Sequence, residues 1–207
     1  MHKKKLYMKN FILLISALIF DTTSGFAQTN ASNFWNPQPG NFKVKHAIEV
    51  ESLVPMFFTG GYHFAAGYRY KKFRVRASII NGGTYDAEKA GINNSSPAFK
   101  RYYKTSPGLF FGYNLWRNLE LYTYLELHTF EITQTNTGKK ENMRSTDSGL
   151  AISYQFFIGR YFYVQPGLHL YVRGNGTLSF DGTEYRIPRT DFSPVIRLGV
   201  RLWRRYP

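Results

Sequence analysis

Apolar and polar residues alternate with period two through eight separate segments of this 207-residue chain, and that pattern limits the fold more than any other feature. A period of two places successive side chains on opposite faces of an extended strand. Phe42–Leu53 sets Phe42, Val44, Ile48 and Val50 against Lys43, Lys45, Glu49 and Glu51. Gly61–Tyr70 sets Tyr62, Phe64, Ala66, Tyr68 and Tyr70 against His63, Gly67 and Arg69. Lys72–Asn81 sets Phe73, Val75, Ala77 and Ile79 against Arg74, Arg76 and Ser78, and Gly108–Trp116 sets Leu109, Phe111, Tyr113 and Leu115 against Gly112 and Asn114. The segment from Leu119 is the clearest, with Leu119, Leu121, Leu125 and Leu127 on one side and Glu120, Tyr122, Tyr124, Glu126 and His128 on the other. Gly149–Ile158, Tyr161–Arg173 and Phe192–Trp203 complete the set.

Short turns near Lys71-Lys72, Arg117-Asn118 and Gly159-Arg160 alternate with longer connections at 54–60, 82–107, 133–148 and 174–191. Segment length, an even strand count and this asymmetry describe an all-β, eight-stranded antiparallel up-and-down transmembrane barrel, with both termini on the short-turn side. Closure follows physically, because lipid offers no hydrogen bonds to an open sheet edge. A soluble eight-stranded barrel is the rival, with its apolar face lining a cavity and its polar face in water. Pro166 and Pro194 fall inside two of the segments, where each removes a ladder donor, so a bulge or a shifted strand boundary is expected at each.

The N-terminus reads as a cleaved export signal. Lys3, Lys4, Lys5 and Lys9 precede an apolar run from Phe11 to Phe20, and Ser24-Gly25-Phe26-Ala27 offers a small-residue cleavage site. Residues 1–27 are therefore assigned to the signal, 28–41 to a short polar periplasmic tail and 42–207 to the barrel. The apolar run is too short to span a bilayer. With no cysteine, disulfides, thiol catalysis and a lipid-modified N-terminal cysteine are all excluded. Removal of the signal leaves 23 basic against 12 acidic residues, which points to anionic partners. Export excludes nucleic acid and favours outer-membrane lipid and lipopolysaccharide. The 16 Tyr and 18 Phe suit a membrane interface.

The pattern resembles the small outer-membrane barrels of the OmpA, OmpX and OmpW type over residues 42–206. The signal ending Gly25-Phe26-Ala27-Gln28 resembles those of Bacteroidota exports. Gly199-Val200-Arg201-Leu202-Trp203 resembles the C-terminal signal that such barrels present to the barrel-assembly machinery, although this chain continues through Arg204, Arg205, Tyr206 and Pro207. The resemblance implies an outer-membrane location and a fold shared by structural proteins, channels, adhesion proteins and lipid-modifying enzymes, so it does not choose a function.

Three sets of residues carry candidate chemistry. Glu49, Glu51, His63, Arg69, Arg74, Arg76, Glu120, Glu126, His128, His169, Arg197 and Arg201 share the inward parity and are expected to form a polar network in the lumen. The same charges, if unpaired, would line a narrow, porin-like path for small solutes. Within that set, His63, His128 and His169 sit in the outer halves of their strands, but their spacing matches no metal motif, and no metal or cofactor is assigned. The long connections carry Lys100, Arg101, Lys104, Lys139, Lys140, Arg144, Arg186 and Arg189, suited to lipopolysaccharide phosphates. No catalytic residues are assigned. Lipid-A deacylase barrels carry a His-x-Ser arrangement, and Phe130 stands where that serine would follow His128; residues 28–41 do not supply the amphipathic helix of the palmitoyltransferase barrels. The reading is an integral outer-membrane barrel with a structural or surface-interaction role, a narrow channel for small or hydrophobic solutes as the alternative, and a lipid-modifying enzyme as the third.

Overall fold

A computed structural model describes residues 42–86, 99–180 and 182–207. The expected signal and tail, residues 1–27 and 28–41, lie outside the described residues, as does the Gly/Asn/Ser run at 91–96. Thirteen strands are formed among the described residues. Eight of them make the barrel: β1 (His46–Leu53), β2 (Gly61–Tyr70), β3 (Phe73–Gly82), β6 (Ser106–Trp116), β7 (Leu119–Gln134), β8 (Lys140–Tyr154), β10 (Phe162–Arg173) and β13 (Thr190–Arg205). Their pairing runs β7-β6-β3-β2-β1-β13-β10-β8, all antiparallel, and the pairing of β7 with β8 joins the two ends of that series. The ring is therefore closed, and no barrel strand presents a free edge along its shared length.

The turns Lys71-Lys72 and Arg117-Asn118 are tight, with Lys71 and Arg117 at φ of 53° and 50°, the left-handed backbone that two-residue hairpins demand. At the opposite end the connections are built up. A short helix, α1 (Val54–Phe58), follows β1. The strands β4 (Thr84–Asp86) and β5 (Phe99–Tyr103) extend the sheet beside β7, and β11 (Thr177–Phe180) pairs with β12 (Thr183–Arg186) as a separate hairpin. The expected long connection at 133–148 is corrected. β7 and β8 pair continuously from Leu119↔Tyr154 to Thr133↔Lys140, leaving only residues 135–139 between them. Apart from Met143, the stretch Lys140–Ser148 is polar on both faces, so its strand carries no hydrophobic alternation to be read.

Neither proline shifts the register of its strand. Pro166 lies opposite Ile196, and Leu168 lies opposite Pro194, in one unbroken ladder. On the other side of Pro166 the ladder is interrupted at Gln155, after which the chain resumes as β9 (Phe156–Ile158) in the same register. Pro194 lies beyond the last partner of β1, the Leu53↔Arg197 pair, so β1 asks no donor of it. The bulges fall elsewhere, between Ile48 and Glu49 opposite β13 and between Asn114 and Trp116 opposite β7. The first segment is also corrected. β1 begins only at His46, so Lys43 is exposed and Val44 is buried, the reverse of the expected parity.

Period-two sorting of the barrel wall is pronounced. Phe64, Phe73, Val75, Leu109, Phe111, Leu121, Leu125, Leu127, Leu150, Ile152, Leu168, Ile196, Leu198 and Leu202 all point outward and are exposed. Charged, amide and imidazole side chains fill the interior instead, interleaved with the rings of Phe110, Tyr122, Tyr124 and Tyr163. That arrangement inverts the soluble rival, which needs its apolar face inside. On β2 the outward series runs from Tyr62 to Tyr70. The eight steps from Tyr62 to Tyr70, at roughly 3.3 Å each and tilted by about 40°, give an apolar belt on the order of 20 Å tall.

Candidate functional site: a cross-braced lumen under a hydrophobic cap

All twelve charged and imidazole residues of the expected lumen set are buried. The lower half of the interior is an arginine–glutamate network. Arg74 stands at its centre. Its Nε lies 2.7 Å from Glu49 Oε2, its Nη2 lies 2.7 Å from Glu51 Oε2, and its Nη1 lies 3.1 Å from Glu120 Oε2. Arg76 bridges Glu51 and Glu120 at 3.0 and 3.2 Å. Arg201 grips Glu49 from below at 2.6 Å, and Arg197 reaches Glu51 at 3.4 Å. Arg69 lies 3.8 Å from Glu49 and donates to Gln155.

The ring order makes the direction of these contacts informative. In a closed series of eight, β3 faces β10, β2 faces β8, β6 faces β13 and β1 faces β7. Arg74 of β3 donates to Gln165 and Tyr163 of β10 at 3.1 and 2.8 Å. Arg69 of β2 donates to Gln155, at the break between β8 and β9. Arg197 of β13 places its guanidinium 5.6 Å from the centre of the Phe110 ring on β6. Arg76 ties Glu51 of β1 to Glu120 of β7. Every diameter is thus bridged by side chains, as the narrow interior of an eight-stranded barrel allows.

Five guanidiniums face three carboxylates in this layer, so ion pairing alone does not neutralise it. Aromatic faces and neutral acceptors take up the excess. Arg201 lies 4.3 Å from the Phe157 ring centre, and Arg76 lies 4.5 Å from that of Tyr122. Tyr122 also accepts from Arg197 at 2.8 Å. Two inward glycines make room for the crossing side chains. A Cβ at Gly199 would sit 2.1 Å from the Tyr163 ring, and one at Gly112 would sit 1.9 Å from Glu120.

Above this layer the three histidines take separate partner sets. His63 Nδ1 accepts from the Leu53 amide at 3.1 Å. His169 Nε2 contacts Tyr122 and Arg197, and its Nδ1 lies 2.9 Å from the Tyr171 hydroxyl. His128 Nε2 lies 3.5 Å from Glu126 and 3.9 Å from Asp147, and Arg173 approaches Asp147 at 3.6 Å. No group of three His, Asp or Glu among the described residues is arranged to hold a metal ion. His128 faces two carboxylates, and the Ser145 hydroxyl on the paired strand donates to one of them, Asp147. Tyr122, Tyr124, Gln155, Tyr163, Gln165 and Tyr171 have the polar parity that the alternation assigns to the inward face, so the sequence already places them there. Asp147 and Arg173 are inward residues that it does not bring out, since Asp147 lies in the polar stretch where alternation fails and Arg173 ends its segment.

The outer end of the lumen is closed by a second, apolar cluster. Phe99, Phe130, Ile132, Met143, Phe180, Tyr185 and Ile187 are buried together, which brings β5, the upper halves of β7 and β8, and the β11–β12 hairpin into one core. Arg101 belongs to this end of the lumen and not to the outer surface: it is buried, 5.1 Å from the Phe130 ring centre and 5.4 Å from that of Tyr103. This corrects its expected role as a lipopolysaccharide contact. Alternation explains it, since Lys100 and Tyr102 take the outward positions on either side. Of the other basic residues expected at the surface, Lys100, Lys140, Arg144, Arg186 and Arg189 are exposed, and Lys104 and Lys139 are half-buried.

No protein-family model matches the chain, and no curated protein matches it. Among solved structures it is similar to the N-terminal β-barrel domain of Pseudomonas aeruginosa OprF, with 12% identity over 77% of this chain and 98% of that one and a TM-score of 0.42. It is likewise similar to Neisserial surface protein A (NspA), with 14% identity over 76% and 96% of the two chains and a TM-score of 0.42. The closed eight-strand ring rests on this chain's own strand pairing.

Proposed function

We propose that this chain is an integral outer-membrane barrel whose lumen is occluded and which acts through its outer wall and its cap, not as a solute channel. The observation that carries the reading is the bridging of all four diameters by Arg69, Arg74, Arg76 and Arg197. Buried charges joined in this way resist opening, because parting one pair leaves an uncompensated ion in a low-dielectric interior. The outward apolar belt supports the membrane location, since so large an exposed greasy surface is not stable in water.

The test is conductance across a planar bilayer holding the purified barrel. The expected record is a flat baseline with no unitary steps, at either polarity and at high salt. Stable ohmic steps from wild-type protein overturn the occluded reading and support the narrow-channel alternative.

A further inference from the structure

One flank of the barrel rises above the apolar belt as a four-stranded wall, β4-β5-β7-β8. Its outward face is ordered in rows by the strand register. In the lowest row Lys104 bonds through its amide to the Thr129 carbonyl, and Thr129 lies opposite Arg144. In the next, Thr84 lies opposite Tyr102, Tyr102 opposite Glu131, and Glu131 opposite Asn142. In the highest, Lys100 lies opposite Thr133, and Thr133 opposite Lys140. Four cations thus share this face with two acidic residues, Glu131 and, opposite Lys100 in the highest row, Asp86, which leaves the face net cationic. Lys140 Nζ lies 2.8 Å and Lys104 Nζ 3.5 Å from Glu131, which fixes both ammonium groups on the wall. The Lys140 hydrogen bond, followed by the nearby charges of Lys140 and Lys104, holds the Glu131 carboxyl below its ordinary range. Lys100, Lys140, Glu131 and Tyr102, with Thr84 and Thr133, line a shallow recess open to the outside.

Depth identifies the occupant. Leu127 is the last apolar residue of β7 on this face, and Thr129 follows two residues later. Two residues of tilted strand rise about 5 Å, which places the Lys104–Arg144 row within the headgroup layer just above the hydrocarbon. The Lys100–Lys140 row stands on the order of 10 Å higher, beyond a single layer of phosphates. A cationic wall two tiers deep, standing on a lipid-facing belt, matches an anionic headgroup that is itself tall. We infer that the outward face of β5, β7 and β8, through Lys100, Lys104, Lys140 and Arg144, binds the phosphate groups of a phosphorylated glycolipid in the outer leaflet, lipopolysaccharide being the source. This rests on the membrane reading above, and it narrows the expected basic set to one wall, leaving out Arg101, Lys139, Arg186 and Arg189.

The experiment uses the full mature chain incorporated into phosphatidylcholine vesicles that contain a minor fraction of diphosphorylated lipid A or, separately, of phosphatidylglycerol. Flotation and heat-modifiable gel mobility report insertion and folding. Native mass spectrometry after detergent extraction counts retained lipid. Wild type is compared with Lys100→Gln/Lys104→Gln/Lys140→Gln/Arg144→Gln and with a control that removes equal charge near the opposite rim, Lys43→Gln/Lys45→Gln/Lys72→Gln/Arg160→Gln. All three are expected to float and fold. Lipid A retention is expected to fall roughly tenfold or more in the wall variant alone, and wild type is expected to retain lipid A over phosphatidylglycerol. Equal retention by wild type and wall variant, an equal loss in the control, or equal retention of the two anionic lipids overturns the inference while leaving the membrane reading intact. Wild-type protein that never floats overturns both.

Discussion

Arg74→Met is expected to lower the unfolding free energy of the barrel by about 3–5 kcal/mol. Methionine keeps much of the length and apolar stem of arginine, so the change removes charge and hydrogen bonds while opening little space. What it leaves behind is the cost. Glu49, Glu51 and Glu120 each lose a direct partner, and Gln165 and Tyr163 lose a bond across the lumen. Arg76, Arg197 and Arg201 still hold those carboxylates in part, which keeps the effect within the range for one broken buried pair. Lys72→Met, two residues away at an exposed turn, is expected to change stability by less than about 0.5 kcal/mol. Urea unfolding in lipid vesicles, followed by tryptophan fluorescence, measures both. A loss below about 1 kcal/mol for Arg74→Met means that the network is not the brace described here.

Leu125→Arg is the second large effect, and it probes the opposite face of the wall. Leu125 is 45% exposed on the outside of β7, within the apolar belt. On a water-soluble barrel an exposed leucine accepts arginine within about 0.5 kcal/mol. In a bilayer the same change near mid-depth costs about 2–4 kcal/mol, falling towards zero near the interface. A gradient along one strand is therefore expected: a large loss at Leu125, a smaller one at Leu127, and almost none at Thr133. The same vesicle unfolding assay reads it. A flat profile places this face in water.

Much of the barrel was legible because its wall sorts side chains by parity. Where one face meets lipid and the other a packed polar interior, a strand such as Leu119–His128 cannot slip by one residue without exchanging both sets. β2 was read with its bounds intact, and β3 and β10 to within a residue. Legibility ended where the environment ceased to differ between faces. Above the belt both faces of the β7–β8 hairpin carry polar residues, Lys140–Ser148 loses its alternation, and the sequence shows a loop where the structure forms a strand. The cap was hidden for a related reason. Phe99, Met143 and the hairpin residues Phe180, Tyr185 and Ile187 come from three separate stretches of the chain, and no local pattern announces that they share a core. Pro166 and Pro194 leave the register of their shared ladder intact, so no bulge forms there; a one-residue interruption at Gln155 and the early end of β1 accommodate the missing donors. Within the lumen, the charges were legible but their pairing was not. Parity says that Arg74 points inward; only the ring order says that it meets β1, β7 and β10 at once.

A spin-label scan of β7 separates a wall that faces lipid from one that faces water. The chain has no cysteine, so single-cysteine variants from Leu121 to His128 need no background removed. In lipid vesicles, labels at 121, 123, 125 and 127 are predicted to be relaxed by oxygen and shielded from a water-soluble nickel chelate, while labels at 122, 124, 126 and 128 are shielded from both. Chelate access at the odd positions would contradict the account, because it would put the leucine face in water and leave the charged lumen without a membrane to explain it.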